Sequence, residues 1–191
     1  MDENPIFPNP LLVENEELIA LGGDFNVCRL VAAYSSGIFP WFIEQDLIHW
    51  FSPETRLIIP IGEVKVSKSL SKVIRNSGME VRFNGDFEAV IRACSEIKRK
   101  GCDDKSWISE AFILGYCELF KAGHAMCVET YMDGELVGGL YGVIVGKTYC
   151  GESMFAKYPN ASKVALVALD KHLITEGFEM IDCQISSEHL I

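Results

Sequence analysis

The stretch AMCVETYM-DG-ELVGGLYGVIV-GK-TYC, residues 125–150, decides the fold. Two turn dipeptides, Asp133-Gly134 and Gly146-Lys147, divide it into three runs rich in β-branched and aromatic residues. Asp-Gly between apolar runs is a strong hairpin signal, because both central residues of a tight two-residue loop need positive φ. The pattern predicts an antiparallel meander over Ala125–Met132, Glu135–Val145 and Thr148–Cys150. The glycines of Gly138-Gly139-Leu140-Tyr141-Gly142 fall inside a strand, so they mark a bulge or a close backbone approach rather than a phosphate loop.

Working downstream, Asn160 is placed to cap a helix from Ala161 to Glu176, which crosses over to a strand at Phe178–Cys183. Upstream, Ser67 caps a basic helix, Lys68–Asn76, and Glu80–Phe83 reads as a strand. Asp86 opens a helix from Phe87 to Lys98 that ends in Lys98-Arg99-Lys100 and stops at Gly101. Ser106-Trp107-Ile108-Ser109 leads into a further helix, Glu110–Ala122, closed by Gly123. Before these, Arg56–Pro60 is a strand, and the composition shift around Pro53 marks a boundary between a small domain at 1–55 and a larger one at 56–191. In the small domain, Asn4–Pro10 is an extended arm and Leu18–Leu21 ends at Gly22-Gly23-Asp24. Asn26 caps a helix to about Ser35, and Phe39-Pro40-Trp41-Phe42 is an aromatic turn. Strands, a crossing helix and a further strand imply an α+β fold resembling the acetyltransferase-like (GNAT-like) type, with a mainly antiparallel sheet.

Composition narrows the class of protein. The 191 residues are 49% hydrophobic and 23% charged, enough for a substantial core. No apolar run approaches the roughly 20 residues of a membrane helix, and the N-terminus has no signal-peptide pattern, so the expected location is the cytoplasm. The seven cysteines, 28, 94, 102, 117, 127, 150 and 183, are scattered, odd in number and lack a C-x-x-C pair, which argues for reduced, buried thiols. His49, His124, His172 and His189 have no acidic or metal partner at ligand spacing, so no metal is expected. The formal net charge is −10, yet residues 56–105 hold 11 Lys/Arg against 7 Asp/Glu. Such asymmetry suggests one face for an anion. Lys65, Lys68, Lys72 and Arg75 share the spacing of one helix face and its approach, which suits phosphate contact.

Two runs carry the chemistry. Gly151-Glu152-Ser153-Met154-Phe155 follows an apolar strand, and Ile181-Asp182-Cys183-Gln184 begins as one. Each sets a carboxylate against apolar neighbours, where an unpaired charge costs several kcal/mol, and neither has a Lys or Arg beside it in sequence. Residues i and i+2 of a strand share a face, so Asp182 and Gln184 are expected to point together, one to orient an ammonium and one to donate an amide hydrogen bond.

In order along the chain, further segments accompany these runs. Leu21-Gly22-Gly23-Asp24, Gly37-Ile38-Phe39-Pro40-Trp41-Phe42 and Trp50-Phe51-Ser52-Pro53 come first. Val66-Ser67-Lys68-Ser69, Trp107-Ile108, Gly123-His124-Ala125, Val137–Val143, Cys150–Phe155, Asn160-Ala161-Ser162-Lys163 and Ile181–Gln184 follow. Together they resemble the leucyl/phenylalanyl-tRNA–protein transferases over nearly the whole chain. Lys68 stands where that family favours Arg, Met126-Cys127 stand where it favours a His-Ser pair, and Ile191 falls where its members usually continue, so the larger domain is expected to lack its C-terminal end.

The resemblance implies transfer of leucine or phenylalanine, with methionine as a further donor, from aminoacyl-tRNA to the α-amino group of proteins beginning with Lys or Arg. Such transfer marks the acceptor for N-end rule degradation. It implies a monomer with no cofactor, Asp182, Gln184 and Glu152 as catalytic residues, and Lys68 and Arg75 on tRNA. It places Trp41, Trp107, Leu140, Tyr149, Met154, Leu169, Leu173 and Ile181 around the aminoacyl side chain. The donor ester is already activated, so positioning of the amine carries the reaction, worth up to roughly 7–11 kcal/mol. An aspartate near its ordinary pKa is about 5 kcal/mol too weak to deprotonate an α-amine, which favours an orienting role for Asp182 and Glu152. Gln184 then orients the carbonyl or the amine, and backbone N–H groups near Cys183 meet the oxyanion. Two alternatives stay open: an acyl-CoA N-acyltransferase of the same fold, and a non-catalytic relative that binds tRNA or basic peptides.

Overall fold

The computed structural model describes residues 5–13, 17–97 and 106–185. The predicted helix end at Lys98, the basic run Lys98-Arg99-Lys100, Gly101, Cys102, His189 and the chain end at Ile191 lie outside the described residues.

β1 (Leu18–Leu21), β2 (Phe39–Glu44) and β3 (Leu47–Phe51) form a small antiparallel sheet in the order β1-β3-β2. Between β1 and β2 runs α1 (Val27–Ser35), whose first turn is held by Asn26, its side chain accepting the Cys28 N–H at 3.1 Å. The aromatic run Phe39–Phe42 is therefore a strand and not the expected turn. The reversal falls three residues later at Gln45-Asp46, where φ is 51° and 61°, as a two-residue hairpin loop requires. Pro40 fits because β2 is an edge strand and its register slips between Pro40 and Phe42. Trp50 anchors this sheet: it is buried, donates Nε1–H to the Gly22 carbonyl at 2.8 Å and packs edge-on against Phe7.

The second sheet has six strands: β4 (Ile58–Pro60), β5 (Glu80–Phe83), β6 (Ala125–Met132), β7 (Glu135–Val145), β8 (Thr148–Ala156) and β9 (Met180–Asp182). Their order is β4-β9-β8-β7-β6-β5, antiparallel throughout except for β8 and β9. A parallel neighbour needs a crossover, and α5 (Ala161–Thr175) supplies it. The expected α+β fold with a mainly antiparallel sheet is thus what the chain adopts. α2 (Lys68–Asn76), α3 (Phe87–Glu96) and α4 (Glu110–Lys121) start as predicted, with the side chains of Ser67, Asp86 and Ser109 accepting the N–H of Leu70, Ala89 and Phe112. Asn160 departs from expectation. It adopts the left-handed region, φ 67°, and makes no side-chain cap. That conformation, which asparagine tolerates, brings the start of α5 against β7 at Gly138, where a side chain would collide with Ala161.

Alternation along β7 assigns the two faces. Leu140 packs with Tyr149, Leu169, Leu173 and Ile181 beneath α5, while Tyr141 and Val143 pack on the opposite face with α1, α3, α4 and the small sheet. Each fully buried aliphatic side chain here contributes about 1.5–3 kcal/mol, so both faces are strongly fixed. A third, smaller cluster joins α2 to α5 through Leu70, Val164 and Val167. No helix among the described residues is long and apolar enough to cross a membrane.

Candidate active site

The site forms where two neighbouring strands part. β8 and β9 pair only from Thr148/Met180 to Cys150/Asp182, after which β8 continues to Ala156 and β9 stops. On the other side of β8, Tyr141 pairs with Ser153 but Gly142 with Gly151, so Glu152 is the extra residue of a β-bulge. A bulge re-aims the side chain it carries. Glu152 is turned toward the face occupied by α1 and α4.

Its carboxylate meets two neutral donors, one of them backed by a second phenol. Gln184 Nε2–H donates to Oε1 at 2.7 Å, and the Tyr116 hydroxyl donates to Oε2 at 3.3 Å. The Tyr34 hydroxyl, on α1, donates in turn to the Tyr116 oxygen at 2.5 Å, so the two phenols form a relay that ends on the carboxylate. Among the described residues no ion pair reaches Glu152. Burial pushes its pKa up from 4.5 to about 7, the nearby Asp182 charge adds to the rise, and the hydrogen bonds from Tyr34, Gln184 and Tyr116 oppose it. Burial, together with the Glu152 charge, holds both tyrosines well above their ordinary range, so they stay protonated donors.

Asp182 has the opposite surroundings. Arg56 Nε–H lies 3.2 and 3.0 Å from its two oxygens, Nη2–H donates to Oδ2 at 2.6 Å, and the Gln184 backbone N–H donates to Oδ1 at 2.8 Å. The cation demanded by a carboxylate among apolar neighbours is present, but it comes from 126 residues away in sequence.

Several expectations need correction here. β9 ends at Asp182, and Gln184 sits beyond it at φ 61°, so the two do not share a strand face; backbone hydrogen bonding brings them together instead. The backbone N–H groups expected to meet an oxyanion are engaged. Cys183 donates to the Leu57 carbonyl at 2.8 Å, Gln184 to Asp182, and Ile185 to the Cys183 carbonyl at 2.6 Å. The Cys183 thiol is pushed up to about 11 by burial and by Asp182, which disfavours the thiolate.

Of the residues expected around the aminoacyl side chain, Leu140, Tyr149, Leu169, Leu173 and Ile181 are buried together beneath α5, with Met154 partly exposed at their edge and paired with Leu140. Trp41 and Trp107 belong to the cluster on the other face, Trp41 edge-on to Phe51 and Trp107 edge-on to Phe112. A cavity of about 220 Å³ lined by Val31, Ser35, His124 and Val143–Gly146 contains none of the predicted residues. Lys65, Lys68, Lys72 and Arg75 are all exposed on α2 and its approach, apart from both carboxylates. No group of three or more His, Cys, Asp or Glu among the described residues could hold a metal ion.

Sequence reasoning missed Arg56, Tyr34 and Tyr116. A signal existed for the first, since a carboxylate buried on an apolar strand calls for a cation somewhere in the fold. Nothing local selected Arg56 over the other arginines. The tyrosines gave no signal beyond helix-face periodicity.

Comparison with known proteins bears on this geometry. The family profile described as leucyl/phenylalanyl-tRNA protein transferase matches residues 58–191, and the profile of that family's N-terminal domain matches residues 23–54. The leucyl/phenylalanyl-tRNA–protein transferase of Nitrosospira multiformis is 46% identical over 192 residues, covering 100% of this chain and 82% of the relative. That of Syntrophobacter fumaroxidans is 45% identical over 190 residues, covering 100% and 81%, and that of Thiobacillus denitrificans 48% over 179 residues, covering 94% and 78%. Among solved structures, an aminoglycoside acetyltransferase from a soil metagenome superposes with a TM-score of 0.45 at 13% identity, over 59% of this chain and 80% of that one. With matches of this length and identity, the chain belongs to the leucyl/phenylalanyl-tRNA–protein transferase family of aminoacyltransferases.

Proposed function

We propose that this chain transfers leucine or phenylalanine from aminoacyl-tRNA to the α-amino group of proteins beginning with Lys or Arg, acting as a cytoplasmic monomer whose products enter N-end rule degradation. One observation carries the reading: Glu152 is a carboxylate ringed by neutral donors, with no cation paired to it among the described residues. An incoming ammonium or guanidinium is the partner such a group lacks.

The raised pKa changes the weighing of roles. Against an α-amine near 7.8, a carboxyl at about 7 is short by only about 1 kcal/mol, where an ordinary aspartate is short by about 5. Glu152 can therefore bind the acceptor ammonium and also take its proton. With one ammonium proton on Glu152, the amine nitrogen bonds to the ester carbonyl carbon, the carbon–oxygen bond to the terminal ribose breaks, the second N–H proton passes to the departing ribose oxygen, and Glu152 returns its own proton to solvent. Gln184, fixed at both ends, orients the acceptor, and Asp182 holds Gln184. The donor side chain lies against Met154, the partly exposed edge of the cluster beneath α5, and Lys68 and Arg75 contact the tRNA backbone. The two lobes act as the units 1–55 and 56–191.

The test is transfer of labelled leucine from leucyl-tRNA to peptides that differ only in their first residue. Arg- and Lys-starting peptides should be acylated and an Ala-starting peptide should not, while acetyl-CoA, the donor of the alternative acyltransferase reading, should support no transfer. Equal acylation of the three peptides would remove the acceptor assignment, and acetyl transfer would favour the alternative.

A further inference from the structure

We propose that Arg56 is a positioning residue whose guanidinium keeps the Asp182 carboxylate committed to the protein, so that Glu152 alone is offered to the acceptor amine. This rests on the assignment of Glu152 to the acceptor made above.

The geometry is that of a clamp. Arg56 Nε and Nη2 both address the Asp182 carboxylate, and Nη1–H donates to the Gly37 carbonyl at 3.1 Å, just past the end of α1. The guanidinium also lies 5.2 Å from the centroid of the Phe39 ring at the start of β2. One side chain thus ties the small sheet to the end of β9. Its side chain is 20% exposed and that of Asp182 is 12% exposed, so this pair is screened far less than a surface pair. Each Asp182 oxygen already accepts from the protein, and no third role as an ammonium anchor is left to it.

The clamp matters because the two carboxylates share Gln184, which gives its backbone N–H to Asp182 and its side-chain N–H to Glu152. Like charges so connected oppose each other's ionisation. The groups around Glu152 are Tyr34 from α1, Tyr116 from α4, Tyr149 and Cys150 on its own strand, Asp182 at the end of β9 and Gln184 just beyond it. Asp182 is the second carboxyl among them, and Arg56 is its counter-charge. Removing Arg56 would leave the full Asp182 charge acting on Glu152 and free the loop that fixes Gln184.

The experiment measures kcat and KM for an Arg-starting peptide with leucyl-tRNA, over roughly pH 5.5 to 9, in the full chain and in Arg56→Ala, Arg56→Lys, Asp182→Asn, Arg56→Ala/Asp182→Asn and Glu152→Gln. Arg56→Ala should lower kcat/KM by about 10- to 100-fold and move the acid limb of the profile up by about half a pH unit or more. Arg56→Lys, which keeps the charge without the fork, should return the limb to its original position while kcat stays reduced. The double variant should exceed Arg56→Ala by about tenfold, with its limb restored, because no unpaired charge remains. A double variant no better than the single one would overturn the proposal. Should Arg56→Ala melt below the assay temperature, Arg56→Lys against the double variant gives the same comparison. An acid limb lost in Glu152→Gln but unmoved by Arg56→Ala would overturn this proposal alone. A limb that survives Glu152→Gln would overturn the Glu152 assignment and this proposal with it.

Discussion

At the end of β9, Asp182 holds a guanidinium and a backbone N–H on its carboxylate; one strand away, at the bulge of β8, Glu152 holds only neutral donors. The two carboxyl groups are linked through a single glutamine, and burial pushes that of Glu152 up to about 7. The difference lies in which elements reach them. Asp182 faces the linker after β3, which brings Arg56, whereas Glu152 faces α1 and α4, which bring tyrosines. A fold can give two carboxylates opposite surroundings by neighbours alone, with no change of residue chemistry.

The largest expected effect breaks this comparison at Glu152. Glu152→Gln keeps the shape and hydrogen-bonding capacity of the side chain but removes its charge and basicity. Transfer should fall by about 10²–10⁴-fold in kcat, the range for a lost general base, with leucyl-tRNA affinity unchanged. Measured single-turnover rates within threefold of the parent would return Glu152 to a packing role.

Stability should respond in the opposite sense, and it separates the two carboxylates cleanly. The Glu152 pKa is raised on folding, so its share of stability is fully present below about 4.5 and is lost as pH rises through about 7. That rise corresponds to up to about 3 kcal/mol, which Glu152→Gln should recover at pH 8 and leave unaltered at pH 4. Asp182→Ala should instead cost about 3 kcal/mol at pH 8, because it strands the Arg56 charge in a mostly buried place. Urea denaturation at the two pH values reads both, and equal signs for the two variants would collapse the distinction.

How much of this could be read from the chain follows from the range of the forces involved. The meander of β6, β7 and β8 was legible because alternation and Asp-Gly chemistry are local, and the caps at Ser67, Asp86 and Ser109 were legible for the same reason. β2 was misread as a turn because its pairing partner, β3, decides it, and the Asn160 conformation because packing on Gly138 decides it. At the site, Glu152 and Asp182 stood out as carboxylates among apolar residues. What surrounds each could not be read, since Arg56, Tyr34 and Tyr116 arrive from separations of 126, 118 and 36 residues. The bulge that aims Glu152 is likewise a property of the β7–β8 register rather than of its own segment.

A smaller effect tests whether binding is separable from both carboxylates. Lys68 and Arg75 are exposed on α2, clear of the Glu152 and Asp182 networks. Replacing each by alanine should weaken leucyl-tRNA binding several-fold and reduce the steepness of its salt dependence by about one counterion per residue. The pH profile of transfer should not move. A shifted profile with an unchanged salt slope would mean that α2 acts on the site rather than on the nucleic acid.

The smallest effect is expected at Cys183, the residue that touches both halves of the comparison. It follows Asp182 directly and precedes Gln184, and its backbone N–H is fixed on the Leu57 carbonyl. A thiol route would need this group as thiolate, but burial and the Asp182 charge hold it at about 11. At pH 7.5 roughly 3 in 10⁴ molecules would carry the nucleophile, and an activated ester attacked by an amine gains nothing from the extra step. Cys183→Ser preserves the backbone contacts and changes the side-chain volume little, so kcat should stay within about twofold of the parent. An acid-quenched reaction should likewise contain no leucyl-enzyme detectable by mass spectrometry. Complete loss of transfer in a folded Cys183→Ser protein would move the chemistry from the Glu152 side of the glutamine to the Asp182 side, and would require a covalent intermediate there.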